Sequence, residues 1–248
     1  MLSEWQKLFP AVLAVLAAGC ADAQKAEFPL RAMPIGASIT AGFSAGKLTD
    51  GYREPLLERL VADGWQLHYV GTQRSGNSAE NHHEGYPGIR TQPLANQTRA
   101  KGVIDQFKPN LLLLNVGTND CTARLTREEA RRIHSDMIDA VFGPAYAGDA
   151  ATAPLLITST LLPRRESDQA LQDCTRYFNE EIRDLARTHP RSAQIALADM
   201  NNGSFITVDD LAPGDNLHPS AEGYAKMAAV WYEALNANLD KLHAPVSV

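Results

Sequence analysis

The sequence predicts an α/β protein, a three-layer α/β/α sandwich built around a five-stranded parallel sheet. Short apolar runs rich in β-forming residues alternate five times with longer segments whose apolar residues recur at helical spacing. The run Leu111–Val116, LLLLNV, is apolar without alternation, as is typical of a central parallel strand that is buried on both faces. Strands that alternate with helices in this way form a parallel sheet that helices cover on both sides.

The strands and the connections between them follow from local composition. The strands are predicted at residues 32–35, 66–71, 111–116, 154–160 and 194–199. A loop is predicted over residues 72–91, which include NHHEGYPGIR. Loops of this length exceed what a simple connection needs and are often functional.

Five helices are predicted from apolar periodicity and from start signals. A capping box of Thr126 and Glu129 opens the third helix, and Pro219 opens the last. The predicted helices lie at 50–63 and 93–107, from 126 through 141, around 171–185, and from 219 through 235. Right-handed crossovers between parallel strands then bring the loops after the first three strands to one edge of the sheet.

The first 23 residues are predicted to be a secretory signal peptide, followed by a single domain at residues 24–248. The apolar run at 8–19 is short for a membrane span, and Ala21-Asp22-Ala23 follows it as a small-residue cleavage pattern. A lipoprotein signal that would leave a lipidated Cys20 is the alternative. We expect a secreted protein that is not inserted stably in a membrane after processing.

Charge and cysteine content limit the partners and the cellular compartment. The net charge of -6 gives no electrostatic basis for binding nucleic acid or an anionic membrane. Removal of the signal peptide leaves Cys121 and Cys174, an even number that fits a disulfide in an oxidising compartment. Because Cys174 also lies on the apolar face of a predicted helix, a buried thiol is the other interpretation.

Two segments carry candidate catalytic residues. Ser38 follows the first strand among small residues, so its hydroxyl lies at the carboxyl end of a strand, where open parallel sheets bind ligands. Asp215 and His218 precede the last helix, and their spacing lets the carboxylate hold one ring nitrogen while the other faces a nucleophile. Each segment has an ordinary structural interpretation as a turn or a packed histidine; together they favour a nucleophile and its base.

Four segments together resemble, in order and spacing, the four blocks of the SGNH (GDSL-type) hydrolase superfamily. They are Ser38 in GASIT, Gly88 in EGYPG, Asn119 in GTND, and Asp215 with His218 in DNLHPS. The segments MPIGASIT, DGYR, HEGYPG and GTND most resemble carbohydrate esterase family three, which includes secreted acetyl xylan esterases. The resemblance implies a flavodoxin-like fold and a serine esterase that needs neither metal nor cofactor.

The resemblance also implies the role of each residue. Ser38, His218 and Asp215 form the triad, and the oxyanion hole takes the backbone N–H groups of Ser38 and Gly88 with the side-chain amide of Asn119. One departure is Ala37, which stands where the superfamily has Asp. His82 and His83 also flank the glycine block, but only His218 has an aspartate at a suitable offset, so we predict His218 as the base.

The predicted function is a secreted esterase that removes small acyl groups, acetyl in particular, from carbohydrate. Two alternatives remain at this point. One is a lipid or phospholipid acylhydrolase, which the lack of a long apolar lid segment disfavours. The other is a carbohydrate-binding protein on the same fold, although a protein that only binds has no need of both a nucleophile and a base. The sequence leaves the natural substrate and the oligomeric state open.

Overall fold

The computed structural model describes residues 28–146 and 152–247. The predicted signal peptide, with Cys20, lies outside these ranges. In chain order the strands are β1 (Leu30–Gly36), β2 (Phe43–Ser44), β3 (Lys47–Leu48), β4 (Leu67–Tyr69), β5 (Gln73–Arg74), β6 (His82–Gly85), β7 (Leu111–Asn115), β8 (Leu155–Ser159) and β9 (Ile195–Ala198). The helices are α1 (Arg53–Ala62), α2 (Thr91–Lys101), α3 (Val103–Phe107), α4 (Thr118–Cys121), α5 (Arg127–Phe142), α6 (Gln169–Thr188) and α7 (Ala221–Asn236).

The central sheet has the order β5-β6-β1-β7-β8-β9, and β4 pairs beside the first half of β1. Leu30 at the start of β1 is in register with Leu67 of β4, whereas Ile35 near its end is in register with Glu84 of β6. All of these pairings are parallel except that of β5 with β6, and β2 and β3 form a separate hairpin. The predicted α/β class with a mainly parallel sheet is confirmed.

Alternation along β1 divides the core between two faces of the sheet. Ala32 packs on the face that α1 and α7 cover, and Met33 packs on the face that α2 and α5 cover. In β7 every residue is buried, as the unbroken apolar run predicts. Helices on both faces of one sheet form the three layers.

The structure corrects two local predictions. The segment 72–91 is not all loop, because β5 and β6 lie within it. The sequence of β6 is polar and so does not indicate a strand, although three of its four residues are buried. The helix predicted over 93–107 is two helices, because Gly102 has a φ of 58° and ends α2. The capping box at Thr126 and Glu129 is confirmed at the start of α5.

Candidate active site

The candidate residues converge at the edge of the sheet where the parallel strands end. Ser38 lies two residues beyond β1, Gly88 three residues beyond β6, and Asn119 four residues beyond β7. His218 approaches the same edge from the loop that precedes α7. The carboxyl edge of an open parallel sheet therefore gathers side chains that are up to 180 positions apart in the sequence.

A chain of hydrogen bonds joins Ser38, His218 and Asp215. The Ser38 Oγ lies 2.9 Å from the His218 Nε2, and the His218 Nδ1 lies 2.9 Å from the Asp215 Oδ2. An ionised carboxylate only accepts hydrogen bonds, so Nδ1 carries the ring proton and Nε2 presents its lone pair to the hydroxyl. This arrangement can take a proton from Ser38 as its oxygen attacks a carbonyl carbon.

The carboxylate of Asp215 stays ionised because it is surrounded by donors. Burial opposes its charge, but hydrogen bonds from the backbone N–H groups of His218 and Leu217 and from the His218 ring outweigh burial, so the pKa of Asp215 lies below its ordinary value. Asp215 is thus a fixed anion that orients the His218 ring.

Side chains outside the triad hold the serine loop against the histidine loop. The Tyr224 hydroxyl, on α7, donates to the carbonyl of Phe43 at 2.8 Å, and the Ser44 hydroxyl donates to the carbonyl of Pro219 at 2.7 Å. The Phe43 ring packs against the His218 ring with 4.7 Å between centroids. The apolar periodicity of α7 marked Tyr224 only as a core residue, and nothing in the sequence shows its contact with the serine loop.

Three hydrogen-bond donors belong to residues that surround the space in front of Ser38. No described residue accepts a hydrogen bond from the backbone N–H of Ser38 or of Gly88. The Asn119 Nδ2 donates to the carbonyl of Ile89 at 2.9 Å, which fixes the amide and leaves its second hydrogen available. The arrangement can therefore stabilise negative charge that develops on a carbonyl oxygen.

Gly88 is required by its backbone conformation. Its φ is 81°, in the left-handed region that L residues rarely adopt, whereas a Cβ at this position would meet no atom within 4 Å. The turn itself therefore needs a glycine.

These groups line one small cavity of about 240 Å³. The polar groups Ser38, His218 and Asn119 lie on its walls with Gly88, and apolar surface comes from Phe43, Pro87 and Leu217. The cavity is an open depression that leaves room for a small acyl group beside Ser38.

A family model for the GDSL-like lipase/acylhydrolase family matches residues 35–226, well over half of the chain. The chain belongs to this family. It is an esterase, a hydrolase of carboxylic esters.

The relatives and solved structures similar to this esterase include carbohydrate esterases. A family 3 carbohydrate esterase of Clostridium thermocellum superimposes with a TM-score of 0.67 at 23% identity, over 86% of this chain and 98% of that one. A family 3 carbohydrate esterase of Talaromyces cellulolyticus gives a TM-score of 0.68 at 20% identity, over 86% and 99%. At such identities the structural similarity shows the fold.

A multidomain esterase of Ruminococcus flavefaciens is 26% identical over 243 residues, or 87% of this chain. The match covers 30% of that protein, so this esterase spans under a third of the length of the curated relative it matches.

The turn of this esterase that carries Ser38 is held by backbone groups, although Ala37 replaces the usual Asp. The N–H of Ala41 donates to the carbonyl of Ala37 at 3.0 Å, and the N–H of Phe43 donates to the carbonyl of Ser38 at 2.9 Å. Ala37 itself is buried. These backbone hydrogen bonds define the turn without a hydrogen bond from the side chain at position 37.

The two histidines beside the glycine block lie away from Ser38. His83 Nδ1 accepts from the Gly85 N–H at 2.9 Å, so its Nε2 carries the proton and donates to the Ser75 hydroxyl at 2.8 Å. Burial, with the nearby charge of Arg53, lowers the pKa of His83 to about 3. His82 Nδ1 lies 2.9 Å from the carbonyl of Gly71. Both histidines form hydrogen bonds within the β5–β6 region, and neither is hydrogen-bonded to Ser38.

The two cysteines are joined in the structure, with 5.4 Å between the Cα atoms of Cys121 and Cys174. The bond ties the end of α4, which carries Asn119, to α6. Of the two interpretations that the sequence leaves open, the structure has the disulfide.

No group of three or more His, Cys, Asp or Glu side chains within residues 28–146 and 152–247 has an arrangement that would hold a metal ion. Among the helices of these residues, none has the length and hydrophobicity needed to cross a bilayer.

Proposed function

We propose that this esterase removes small acyl groups, acetyl in particular, from carbohydrate by a serine acyl-enzyme mechanism. The observation that carries the proposal is the chain of hydrogen bonds from Asp215 through His218 to Ser38, which ends at a small cavity with unpaired donors. The similarity to two carbohydrate esterases of family 3 supports the choice of carbohydrate.

In the proposed first step, the Ser38 oxygen attacks the ester carbonyl while His218 Nε2 takes its proton. The carbonyl oxygen becomes an oxyanion bound by the N–H groups of Ser38 and Gly88 and by the Asn119 amide. Collapse of this intermediate breaks the bond to the sugar oxygen, and His218 returns the proton to that leaving alcohol. Water, deprotonated by His218, then releases acetate from Ser38.

The size of the cavity supports a short acyl group over a fatty acid. Pockets that enclose drug-sized ligands typically measure about 300–1,000 Å³, whereas the cavity at Ser38 measures about 240 Å³. Phe43, Pro87 and Leu217 contribute apolar surface that suits a methyl group. The sugar is then expected to lie on the open side of the depression.

Hydrolysis of p-nitrophenyl acetate and butyrate by the parent enzyme tests the mechanism and the acyl preference. We expect the acetate to react faster, the Ser38→Ala variant to be inactive, and Asn119→Ala to lose about 100- to 1,000-fold in kcat. Ser204→Ala, at an exposed serine, is the matched control. Equal activity of Ser38→Ala and the parent would refute the mechanism.

Release of acetate from acetylated xylo-oligosaccharide tests the carbohydrate substrate. We expect this release to exceed the release of fatty acid from phosphatidylcholine vesicles at equal enzyme concentration. Faster hydrolysis of the phospholipid would instead favour the acylhydrolase alternative.

We further propose that the enzyme is exported and acts outside the cytoplasm. The bond between Cys121 and Cys174 supports an oxidising compartment, and the signal peptide predicted at residues 1–23 supplies the route. Mass spectrometry of the exported protein is expected to find Gln24 as its first residue. A lipid-modified Cys20 at the N-terminus would establish the lipoprotein alternative.

A further inference from the structure

A second and larger cleft lies between the loop after β8 and the exposed side of α6, with a volume of about 440 Å³. Its lining is dominated by polar side chains that suit sugars and anions. They include Arg164, Arg176, Arg183, Gln172, Asn179 and Asn201. Three arginines around one cleft stand out in a chain whose net charge is -6.

Among the described residues, Arg164 is the member of this group whose guanidinium has an ion pair but no hydrogen bond. Its side chain is 9% exposed, and neither Nε nor Nη1 has a hydrogen-bond partner among the described residues. The carboxylate of Glu166 approaches its Nη2 only to 3.8 Å, which is too far for a hydrogen bond. A buried guanidinium without partners is costly, and an anion that binds it offsets that cost.

The other two arginines of the cleft are already paired with carboxylates. Arg183 donates to both carboxylate oxygens of Asp199, at 2.8 and 2.9 Å. Arg176 contacts Asp173 at 3.3 Å and Glu180 at 3.2 Å. The cleft therefore offers an incoming ligand the charge of one guanidinium, that of Arg164.

One residue joins this cleft to the active site. The Arg165 guanidinium donates to the carbonyl of Val208, which lines the cleft, at 2.7 Å, and to the carbonyl of Asp215 at 3.3 Å. The backbone N–H of Arg165 also donates to the carbonyl of Asn216 at 2.9 Å. The loop that presents Arg164 is thus attached directly to the loop that carries Asp215 and His218.

We propose that the Arg164 cleft is a subsite for the carboxylate of an acidic sugar residue, such as a uronic acid, on the same glycan whose ester is hydrolysed at Ser38. The proposal rests on the proposed function for the identity of the ligand as a glycan. Its physical basis is Arg164, whose guanidinium has no hydrogen bond to a described residue, in a cleft attached to the catalytic loop.

The chemistry of the cleft favours a carboxylate over a phosphate or sulfate ester. A single guanidinium with unused hydrogen-bond donors matches the single charge and planar shape of a carboxylate. The nearby carboxylates of Glu166 and Glu180 disfavour a doubly charged group. The Gln172 and Asn201 side chains add amide groups of the kind that bind sugar hydroxyls.

Calorimetric binding to the inactive Ser38→Ala enzyme tests the subsite independently of turnover. The probes are a neutral xylo-oligosaccharide and the same oligosaccharide carrying one glucuronic acid. We expect the acidic probe to bind about tenfold more tightly at low salt, as a charged hydrogen-bonded pair provides. Arg164→Gln in the same background is expected to abolish the difference and to leave the affinity for the neutral probe unchanged.

Arg187→Gln is the control, because Arg187 lies on α6 outside the cleft and its side chain is 74% exposed. Equal affinity for both probes in the parent would overturn the subsite, as would a preference for the acidic probe that survives Arg164→Gln. Hydrolysis of p-nitrophenyl acetate by Arg164→Gln is expected to match that of the parent enzyme, so failure of the esterase proposal is seen separately.

Thermal stability provides a second readout. If Arg164 binds an external anion, replacing its guanidinium, which has only the long ion pair with Glu166, by a neutral amide is expected to leave the Tm of the free enzyme unchanged or to raise it. A marked fall in the Tm of Arg164→Gln would show that Arg164 is a structural residue and would overturn the proposal.

Discussion

The carboxylate of Asp120 accepts hydrogen bonds from both the backbone N–H of Thr91, at 3.0 Å, and the Thr91 hydroxyl, at 2.8 Å. Thr91 begins α2, three residues after Gly88, and Asp120 directly follows Asn119. One buried carboxylate therefore connects the two loops that carry two of the proposed oxyanion donors.

We expect Asp120→Ala to lower kcat on p-nitrophenyl acetate by about 100-fold, because a displacement of about 1 Å in a catalytic group is enough for such a loss. KM is expected to change little, since Asp120 positions the oxyanion donors and does not bind the substrate. Asp120→Asn retains an acceptor for Thr91 and should recover part of the rate. Unchanged kcat in a folded Asp120→Ala variant would refute this role, and circular dichroism would establish folding.

Phe43 is expected to limit the length of the acyl group. Its ring lines the cavity at Ser38 and packs against the ring of His218. Phe43→Ala therefore enlarges the cavity and removes a packing contact that holds the His218 ring in place. The ratio of kcat/KM for p-nitrophenyl butyrate to that for the acetate is expected to rise, while both values fall. Phe205→Ala, at an exposed phenylalanine, is the control. A ratio equal to that of the parent would place the limit on acyl length elsewhere.

Removal of the disulfide is expected to reduce stability. The bond between Cys121 and Cys174 closes a loop with a sequence separation of 53, and the chain-entropy model gives about 4 kcal/mol of unfolding free energy for a loop of this size. The variant Cys121→Ser/Cys174→Ser should therefore melt about 10 °C below the oxidised parent. Dithiothreitol should lower the Tm of the parent and leave the double variant unaffected; equal melting temperatures without reductant would contradict the prediction.

Two of the three buried histidines, His83 and His134, are expected to make the fold sensitive to mild acid, and burial also lowers the pKa of the third, His189. Burial lowers the pKa of His83 to about 3 and that of His134 to about 4. The unfolded chain takes up these protons near pH 6.5, whereas the folded chain does not. The free energy of unfolding is therefore highest above that pH and decreases as the pH falls toward 3–4. At pH 5 each histidine is expected to cost about 2 kcal/mol.

Thermal melts between pH 7 and pH 5 measure this loss. His134 contacts the Thr158 hydroxyl at 3.0 Å through Nε2, and His134→Gln retains a polar partner for it without a titrating group. The decline in Tm should be smaller in the variant than in the parent, and part of it should remain because His83 and His189 are still present. His243→Gln, near the chain end and partly exposed, is the control. An identical decline in Tm in the parent and in His134→Gln would show that His134 does not contribute to the sensitivity to acid.

The blocks around Ser38, Gly88, Asn119 and His218 were recognisable from the sequence because each combines a specific residue with a local turn. The unbroken apolar run of β7 and the capping box of α5 were likewise predictable, since both depend on neighbours within one element. The strand at His82–Gly85 was missed because its pairing with the end of β1, and not an apolar pattern of its own, makes it a strand.

The sequence by itself determined the α/β class, the family blocks and the residues to which chemistry is assigned, because local patterns of apolar, small and polar residues encode strands, helices and turns. Only the tertiary structure decided that Tyr224 holds the serine loop, that Asp120 joins the loops of Gly88 and Asn119, and that the Nε and Nη1 of Arg164 are buried without a hydrogen bond to any described residue. These relationships join residues far apart in the chain, and long-range packing, which no local pattern encodes, sets their distances.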